Sequence, residues 1–473
     1  MSHTRDRHAA YYLALIKREL DDWRAISAEF PQIQRAWETI AENDEKVLEF
    51  IWAMDQFPRT QNLWQEYIRW ARRGLEAARA LRQRSAEGIL LNNLGLVYSN
   101  LGETQQALEC YHVALPIHEE EGDQVEQACT LHNIGLIYDR TGEPQQALEY
   151  FTRALALEEA AGDRTGQAAT LNSLGAVYAD RGEPERALGY LTRALKAREA
   201  EGDRRGQGVT LNRIGMLYCD LGELQWALEY YKRALEIGEA VGDHSGQAAA
   251  LDNLGVTYAD LGEREQALKY YMQALSLEEE FGDRNGQATT LDNVGWLYCE
   301  AQEFEHALEY YQRALALNEA MGKRSSQAST LTSIGLVYTK CKEYQLARSC
   351  LEQALSIHEA TDNKGWQAAT LTNLGVLYAD MAEPQRAMEY YRRALAIREA
   401  TGQQVGKRVV LSNMAILQQS TGNLAEADRL LAQVVMLDET LQLPELAQDH
   451  AVLMKVRLDL HAEQGTSLEE GNS

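Results

Sequence analysis

The small and apolar residues of this 473-residue chain recur with a period of 40 positions. Glycine recurs from Gly95 to Gly375, and a tyrosine stands three residues after each of these glycines. An alanine follows each glycine after twelve residues, from Ala107 to Ala387. Eight copies run in register, and a ninth is degraded because Ala415 replaces its glycine. A fixed period of this length predicts an array of structural units that pack against their neighbours.

Each unit is predicted to contain two helices, A and B. In the third unit Leu171, Leu174 and Tyr178 recur at helical spacing, which predicts helix A over about 164–181. Helix B is predicted from Pro184 to about residue 201, because proline favours a first helical position. A Gly-Asp pair at 202–203 then provides a left-handed end for helix B and a cap for the next helix A.

The glycine of helix A is expected to let helix B approach closely. In the fifth unit we expect Gly255 to lie opposite the small side chains of Ala267 and Ala274. A larger residue at this glycine would overpack the contact, at a cost of about 1–3 kcal/mol.

The spacing Leu-x-x-Leu-Gly-x-x-Tyr, followed by the two alanines, resembles the tetratricopeptide repeat. The 40-residue unit is similar to the repeats of kinesin light chains and of Pins-type spindle-orientation scaffolds, and the resemblance covers about 88–440. It implies an all-α fold, a right-handed superhelix of helix-turn-helix repeats. The A helices would line a concave groove, and the B helices would form the convex side.

The repeats divide the chain into five segments. We expect an N-terminal helical region with a degenerate leading repeat (1–87), eight regular repeats (88–407), a degenerate ninth (408–440), a capping helix (441–463) and a disordered tail (464–473). Within the first segment, helices are predicted at 5–26, 30–42, 47–54 and 64–81. The stretches HAAYYLAL (8–15) and AEFPQIQRAWETIAEND (28–44) resemble the segment that joins the ATPase module to the repeats in bacterial STAND regulators, although no nucleotide-binding motif precedes them.

Charge narrows the choice of partner. The chain has 71 acidic and 46 basic residues, a formal net charge of −25. This surface disfavours nucleic acid and favours a basic peptide or a basic protein surface. Acidity that merely keeps a large protein in solution is the alternative.

No motif in the sequence indicates chemistry. The six cysteines have no metal-ligand spacing, and no catalytic motif is present. We therefore expect no cofactor, no metal and no enzymatic activity. No apolar run is long enough for a membrane span and no signal peptide is recognisable, which predicts a cytoplasmic protein of unknown oligomeric state.

The candidate binding site lies on helix A. When positions are numbered so that the glycine is position 8, positions 2, 5, 9, 12 and 13 form one stripe, and the resemblance places this stripe in the groove. Position 5 offers an amide ladder, position 13 an acidic row and position 9 apolar anchors. The predicted partner-binding residues are Asn92, His132, Asn172, Asn212, Asp252 and Asp292 at position 5, Met216 and Trp296 at position 9, and Asp180, Asp220, Asp260, Glu300 and Asp380 at position 13.

We expect these residues to bind a peptide or protein segment that carries basic residues. Two alternatives stay open for the site: the acids could pair with neighbouring repeats or be solvated, and Trp296 could pack on an adjacent A helix. Two also stay open for function. One is a ligand-sensing subunit of a STAND-like bacterial signalling or defence system. The other is a peptide-regulated phosphatase of the Rap type, whose helical bundle also precedes 40-residue repeats.

Overall fold

The chain is an array of paired helices. The computed structural model describes residues 2–18, 23–55, 57, 63–361, 363–441, 443 and 445–470, and within these residues it contains 23 α-helices and no strand. None of the described helices is long and apolar enough to cross a membrane. The helices pack into two compact units, unit 1 (Met1–Gly242) and unit 2 (Asp243–Ser473).

Unit 1 begins with four helices and continues with four complete repeats. The first four helices are α1 (Ser2–Arg18), α2 (Trp23–Ile40), α3 (Asp44–Met54) and α4 (Trp64–Ala80). The repeats follow as α5 (Arg84–Asn100), α6 (Thr104–Glu121), α7 (Gln124–Arg140), α8 (Pro144–Ala161), α9 (Arg164–Asp180), α10 (Pro184–Glu201), α11 (Arg204–Asp220) and α12 (Leu224–Val241). Odd-numbered members of this series are A helices, and even-numbered members are B helices.

Unit 2 contains the remaining repeats and one further helix. Its helices are α13 (His244–Asp260), α14 (Arg264–Phe281), α15 (Arg284–Glu300), α16 (Phe304–Ala320), α17 (Arg324–Lys340), α18 (Tyr344–Ala360), α19 (Lys364–Asp380), α20 (Pro384–Ala400), α21 (Gln404–Ser420), α22 (Leu424–Leu441) and α23 (Leu446–Glu470). The alternation of A and B helices continues to α22. In both units each A helix packs against its own B helix, and within a unit it also touches the A helix of the next repeat.

The helix boundaries near the N-terminus differ from the prediction. The predicted break near residue 28 does not exist, because α2 runs from Trp23 through Pro31 to Ile40. Ile26, Ile33 and Ile40 lie one or two turns apart on α2, and all three are fully buried. Packing of this apolar stripe outweighs the local preference of proline to end a helix. Residues 19–22, inside the helix predicted at 5–26, lie outside the described residues.

The helix ends within the repeats are confirmed. In the third repeat Gly202 takes the left-handed conformation that ends α10, with φ near +70°. The side chain of Asp203 then accepts a 2.8 Å hydrogen bond from the backbone amide of Gly206, in the first turn of α11. This cap satisfies a donor that the start of a helix leaves without a partner.

The close approach at the repeat glycine involves a different neighbour from the one predicted. A Cβ atom on Gly255 would lie 2.5 Å from Cε1 of Tyr271, so helix B presents a ring to the glycine rather than Ala267 and Ala274. Both alanines are fully buried in the same helix pair. The glycine therefore makes room for a large side chain, because a tyrosine ring can fill the space between the helices only if the residue at position 8 has no side chain.

The C-terminal helix is longer than predicted. It begins at Leu446 and continues to Glu470, so it includes most of the segment that we expected to be disordered. Elongation of an existing helix adds one hydrogen bond per residue, and the run from Gln464 to Glu470 contains no proline to stop it. Residues 471–473 lie outside the described residues.

Candidate functional site

Successive A helices are joined by hydrogen bonds between position 5 of one repeat and a threonine at position 3 of the next. In unit 1 the amide nitrogen of Asn172 donates to Oγ1 of Thr210 at 3.2 Å. In unit 2 Oγ1 of Thr330 donates to Oδ2 of Asp292 at 2.9 Å. The same two positions meet in four further pairs among the described residues, which are Asn92 with Thr130, His132 with Thr170, Asp252 with Thr290, and Thr332 with Thr370.

These bonds determine where the predicted amide ladder lies. Asn92, Asn172 and Asn212 are only 5%, 4% and 9% exposed. The asparagines at 92 and 172 bond to the next repeat, and the predicted ladder is therefore part of the contact between A helices. Burial leaves these side chains with almost no surface that a peptide backbone could reach.

His132 belongs to the same buried layer. Its Nδ1 lies 2.9 Å from Oγ1 of Thr170, and that hydroxyl donates to Oε1 of Glu158 at 2.8 Å. Burial lowers the pKa of His132 to about 4 and raises the pKa of Glu158 to about 7. Both shifts disfavour the charged form, as expected for titratable groups removed from water.

Asp252 shares a hydroxyl group with a second carboxylate. Oγ1 of Thr290 lies 3.1 Å from Oδ1 of Asp252 and 3.0 Å from Oε2 of Glu278, which ends helix B of the same repeat. Burial raises the pKa of Asp252 to about 6 and that of Glu278 to about 7, and the charge of Asp252 adds to the second shift. The single hydroxyl proton of Thr290 can be donated to only one of the two carboxylates at a time. Protonation of the other carboxylate therefore stabilises the pair.

Position 13 carries the exposed charges of the A helices. The acids Asp180 and Asp220 of unit 1 and Asp260, Glu300 and Asp380 of unit 2 are all exposed. Partial burial and the charge of Asp180, on the neighbouring repeat, both raise the pKa of Asp220. In unit 2 Lys340 interrupts the row, and its Nζ lies 3.9 Å from Oε1 of Glu300.

Position 9 presents apolar side chains to solvent beside these acids. Met216 is 51% exposed on α11, and Trp296 is 44% exposed on α15. Three further position-9 residues are exposed in the same way, namely Leu136, Val256 and Ile416. Positions 9 and 13 lie one turn apart on each helix. In three repeats an exposed apolar side chain therefore lies one turn before an acid, namely Met216 before Asp220, Val256 before Asp260 and Trp296 before Glu300.

Two parts of this surface were not singled out from the sequence. Trp52 on α3 stands 40 residues before Asn92 and is therefore the position-5 residue of the degenerate leading repeat; its side chain is 40% exposed and borders a cavity of about 540 Å³ with Arg84 and Ile89. Asp139, at position 12 of α7, has its pKa raised by partial burial and by Asp180. The 40-residue register could have identified both residues, since it continues before residue 88 and includes position 12.

Comparison with known families supports the architecture described above. The family model described as tetratricopeptide repeat matches residues 86–160, 126–200, 207–280, 265–320 and 326–400, which together make up more than half of the chain. The chain belongs to the tetratricopeptide repeat family. No curated protein matches this tetratricopeptide repeat chain.

Several solved tetratricopeptide repeat structures resemble this one. The quorum sensor NprR of B. thuringiensis, in its apo form, is 17% identical, with 76% of this chain and 99% of that chain covered at a TM-score of 0.53. Aspartyl phosphate phosphatase F of Bacillus subtilis is 14% identical, with 76% and 95% covered at 0.52. The STAND protein PH0952 of Pyrococcus horikoshii, which has a tetratricopeptide repeat sensor, is 17% identical, with 74% and 54% covered at 0.49. At these identities NprR and the phosphatase share the fold of this chain, and no more is concluded from them.

Proposed function

We propose that this protein is a non-enzymatic interaction scaffold whose A-helix faces bind a peptide or a segment of a partner protein. The observation that supports it is the alternation of exposed apolar residues at position 9 with exposed acids at position 13. A ligand with apolar residues beside basic ones would complement both rows. Exposed aromatic and long apolar side chains are typical anchors of protein interfaces, and the acids would steer a basic partner.

The spacing of the repeats suggests the form of such a ligand. Packed helices lie about 8–10 Å apart, and an extended chain advances about 3.3 Å per residue. One repeat therefore corresponds to about three residues of an extended peptide. We propose a ligand segment in which apolar and basic residues recur with that spacing. Its side chains, more than its backbone, would make the contacts, because the position-5 amides are buried.

Charge reversal tests this proposal. Peptides are first selected on the full chain from a random display library, and their affinities are then measured by fluorescence anisotropy at several salt concentrations. Changing Asp180, Asp220 and Asp260 to lysine should weaken binding at least about tenfold near 0.1 M salt, and the difference should shrink as salt is raised.

The helix B side of the chain offers a matched control. Glu149, Glu229 and Glu309 are exposed on B helices, and their change to lysine alters the net charge by the same amount. This variant should bind like the unmodified chain. If the two triple variants lose affinity equally, overall charge explains binding and the A-helix faces do not.

A ligand-sensing regulator is the second candidate. It is supported by the helices that precede the repeats and by the fold shared with a quorum sensor and an aspartyl phosphate phosphatase. Affinity purification from the native host should then recover an ATPase or effector as a stoichiometric partner. Turnover of a phosphorylated receiver domain by the purified chain would instead favour the phosphatase alternative and contradict a non-enzymatic scaffold.

A further inference from the structure

One position-5 carboxylate in unit 2 has an oxygen without a partner. Oδ2 of Asp292 accepts the hydrogen bond from Thr330, whereas Oδ1 is buried and has no partner among the described residues. Burial raises the pKa of Asp292 to about 7. A buried oxygen of this kind is uncommon, since nearly all buried polar atoms in native proteins find a hydrogen-bond partner.

The repeat pattern explains why this oxygen is left over. In two other pairs of repeats the asparagine at position 6 of the next repeat supplies a donor to position 5. Asn133 donates to Oδ1 of Asn92 at 3.1 Å, and the side chain of Asn293 bonds to Asp252 in the same way. For Asp292, position 6 of the next repeat is Ser333, which lies 41 residues later. The hydroxyl of Ser333 donates to the backbone oxygen of Ser329 instead. A shorter side chain has replaced the usual donor.

A small polar cavity lies beside Asp292, between α15 and α17. It has a volume of about 150 Å³, and its lining includes Asp292, Asn293, Asn318, Ser326 and Ser329. The amide nitrogen of Asn318 donates to Thr330, and the hydroxyl of Ser329 donates to the carbonyl of Ser325. The oxygens of both side chains therefore remain available as acceptors around the carboxylate.

We propose that this cavity binds a primary ammonium group, with Asp292 as its counter-ion. An ammonium group has three donors and no acceptor, and the cavity offers a carboxylate together with neutral oxygens. Trp296 lies one turn further along α15, where its exposed ring can cover the methylene stem of a lysine.

The same geometry disfavours a guanidinium group. Arginine binds a carboxylate most strongly through two parallel hydrogen bonds, one to each oxygen. Thr330 already uses Oδ2 of Asp292, so only one oxygen is free. A compact ammonium group needs a single carboxylate oxygen and can direct its remaining donors to other acceptors.

Lys323 is the nearest competitor. Its Nζ donates to Oδ1 of Asn285 at the edge of the cavity, so that asparagine is already used. No hydrogen bond from Lys323 reaches Oδ1 of Asp292 within the described part of the chain. The carboxylate therefore still lacks a cation of its own.

The ammonium group belongs either to a lysine of the bound peptide or to a free small amine. For the lysine, this inference deepens the proposed function and rests on it. The first probes are n-butylammonium chloride and n-butylguanidinium chloride, whose binding to the full chain is followed by saturation-transfer NMR. Butylammonium should bind several-fold more tightly than butylguanidinium.

Three variants identify the site. Asp292→Asn removes the charge, and Ser333→Asn restores the donor that other repeats have; each should weaken butylammonium binding about ten- to a hundredfold. Asp252→Asn is the matched control, because the side chain of Asp252 already accepts hydrogen bonds from Thr290 and Asn293, and it should leave binding unchanged. Butylammonium binding that ignores Asp292→Asn and Ser333→Asn, or that Asp252→Asn weakens equally, would overturn the assignment.

Peptides then distinguish the two sources. In the peptides selected on the full chain, replacing the critical lysine by norleucine should cost about tenfold on the unmodified chain and nothing on Ser333→Asn. Peptides that need no lysine, while butylammonium still depends on Asp292, would assign the cavity to a free amine. A third result separates the two proposals: reversal of Asp180, Asp220 and Asp260 weakens peptide binding, but Ser333→Asn changes the binding of neither the peptides nor butylammonium. This result would support binding at the A-helix faces and disprove the ammonium site.

Discussion

Position 31, near the end of each helix B, is occupied by different polar side chains in different repeats. His118 and His358 are 1% and 0% exposed there, and burial lowers the pKa of both imidazoles. Gly88 leaves space for the first, since a Cβ on that glycine would lie 2.6 Å from Cε1 of His118. In the first repeat the glycine at position 1 thus makes room for the imidazole at position 31.

Two glycines of the third repeat provide a matched pair of substitutions. Gly175 is at position 8, where a Cβ would lie 2.7 Å from Cγ of the buried Leu191, whereas Gly189 on α10 has no atom within 4 Å of its Cβ direction. Gly175→Ala should therefore destabilise the chain by about 1–3 kcal/mol through overpacking. Gly189→Ala should stabilise it by about 0.5–1 kcal/mol, because alanine loses less conformational freedom in a helix. Urea unfolding followed by circular dichroism measures both, and equal effects would contradict the packing argument.

Sequence reasoning identified the glycine and its role but not its neighbour. The pattern indicates that two helices must approach closely at position 8, and the period identifies every copy. It contains no information on how helix B rotates about its axis, and that rotation decides whether Tyr271 or Ala267 meets Gly255. Position 5 shows the same limit, because helical periodicity cannot separate a side chain that faces a ligand from one that faces the next A helix.

At the scale of elements, the contact between repeats is a buried polar layer rather than an apolar one alone. Thr290 joins Asp252 on the preceding A helix to Glu278 on the preceding B helix, so one hydroxyl group links three helices. The same arrangement links Asp292, Thr330 and Asn318 one repeat later. This layer makes the stability of the repeats depend on pH, because it contains carboxylates whose charged form burial disfavours, namely Glu158, Asp252, Glu278 and Asp292.

Glu278 predicts the direction of that dependence. Its pKa is raised to about 7 in the folded chain, so between about pH 4.5 and 7 the folded state holds a proton that the unfolded state has released. Stability from this group is complete below about pH 4.5 and is lost as the pH rises through 7. In Glu278→Gln the free energy of unfolding should therefore fall by about 1–3 kcal/mol less over this pH range, since one pKa unit corresponds to about 1.4 kcal/mol.

The measurement compares thermal unfolding of the unmodified chain and of Glu278→Gln at pH 5 and pH 8. The difference between the two proteins isolates this group from the histidines, whose lowered pKa values act in the opposite direction. Glu280→Gln, at an exposed position of the same helix, is the control and should leave the pH dependence unchanged. A variant at position 278 whose stability falls with pH as steeply as that of the unmodified chain would contradict the assigned protonation.

At the scale of the whole molecule, an array of repeats must end in a surface that water can cover. The ninth repeat departs from the pattern for this reason. Arg408 stands at position 1, where other repeats have alanine or glycine, and its Nε lies 2.5 Å from Oδ1 of the fully buried Asp438 at position 31. The same guanidinium group also bonds to Asp449 on α23. The departure from the pattern at Arg408 therefore forms an ionic contact that attaches the last helix.

The final helix covers apolar surface as well as charge. Leu453 and Val456 on α23 are 3% and 0% exposed and belong to the same core cluster as Leu430 and Val434 of α22. Fully burying an aliphatic side chain is worth about 1.5–3 kcal/mol. Deleting residues 442–473 should therefore lower the local stability of α21 and α22 by several kcal/mol and expose the apolar surface that α23 covers. Amide hydrogen exchange of these helices should accelerate strongly, and sedimentation velocity should detect self-association.

A shorter deletion separates capping from simple loss of chain. Removing residues 464–473 leaves Asp449, Leu453 and Val456 in place, so exchange in α21 and α22 should stay close to that of the full chain. The long deletion also removes Asp449 from Arg408, and Asp449→Asn in the full chain measures that part alone, because it leaves the contact between Arg408 and Asp438 in place. If the long deletion leaves exchange in α21 and α22 unchanged, α23 does not cap the repeats, and the interpretation of the ninth repeat as an end cap fails with it.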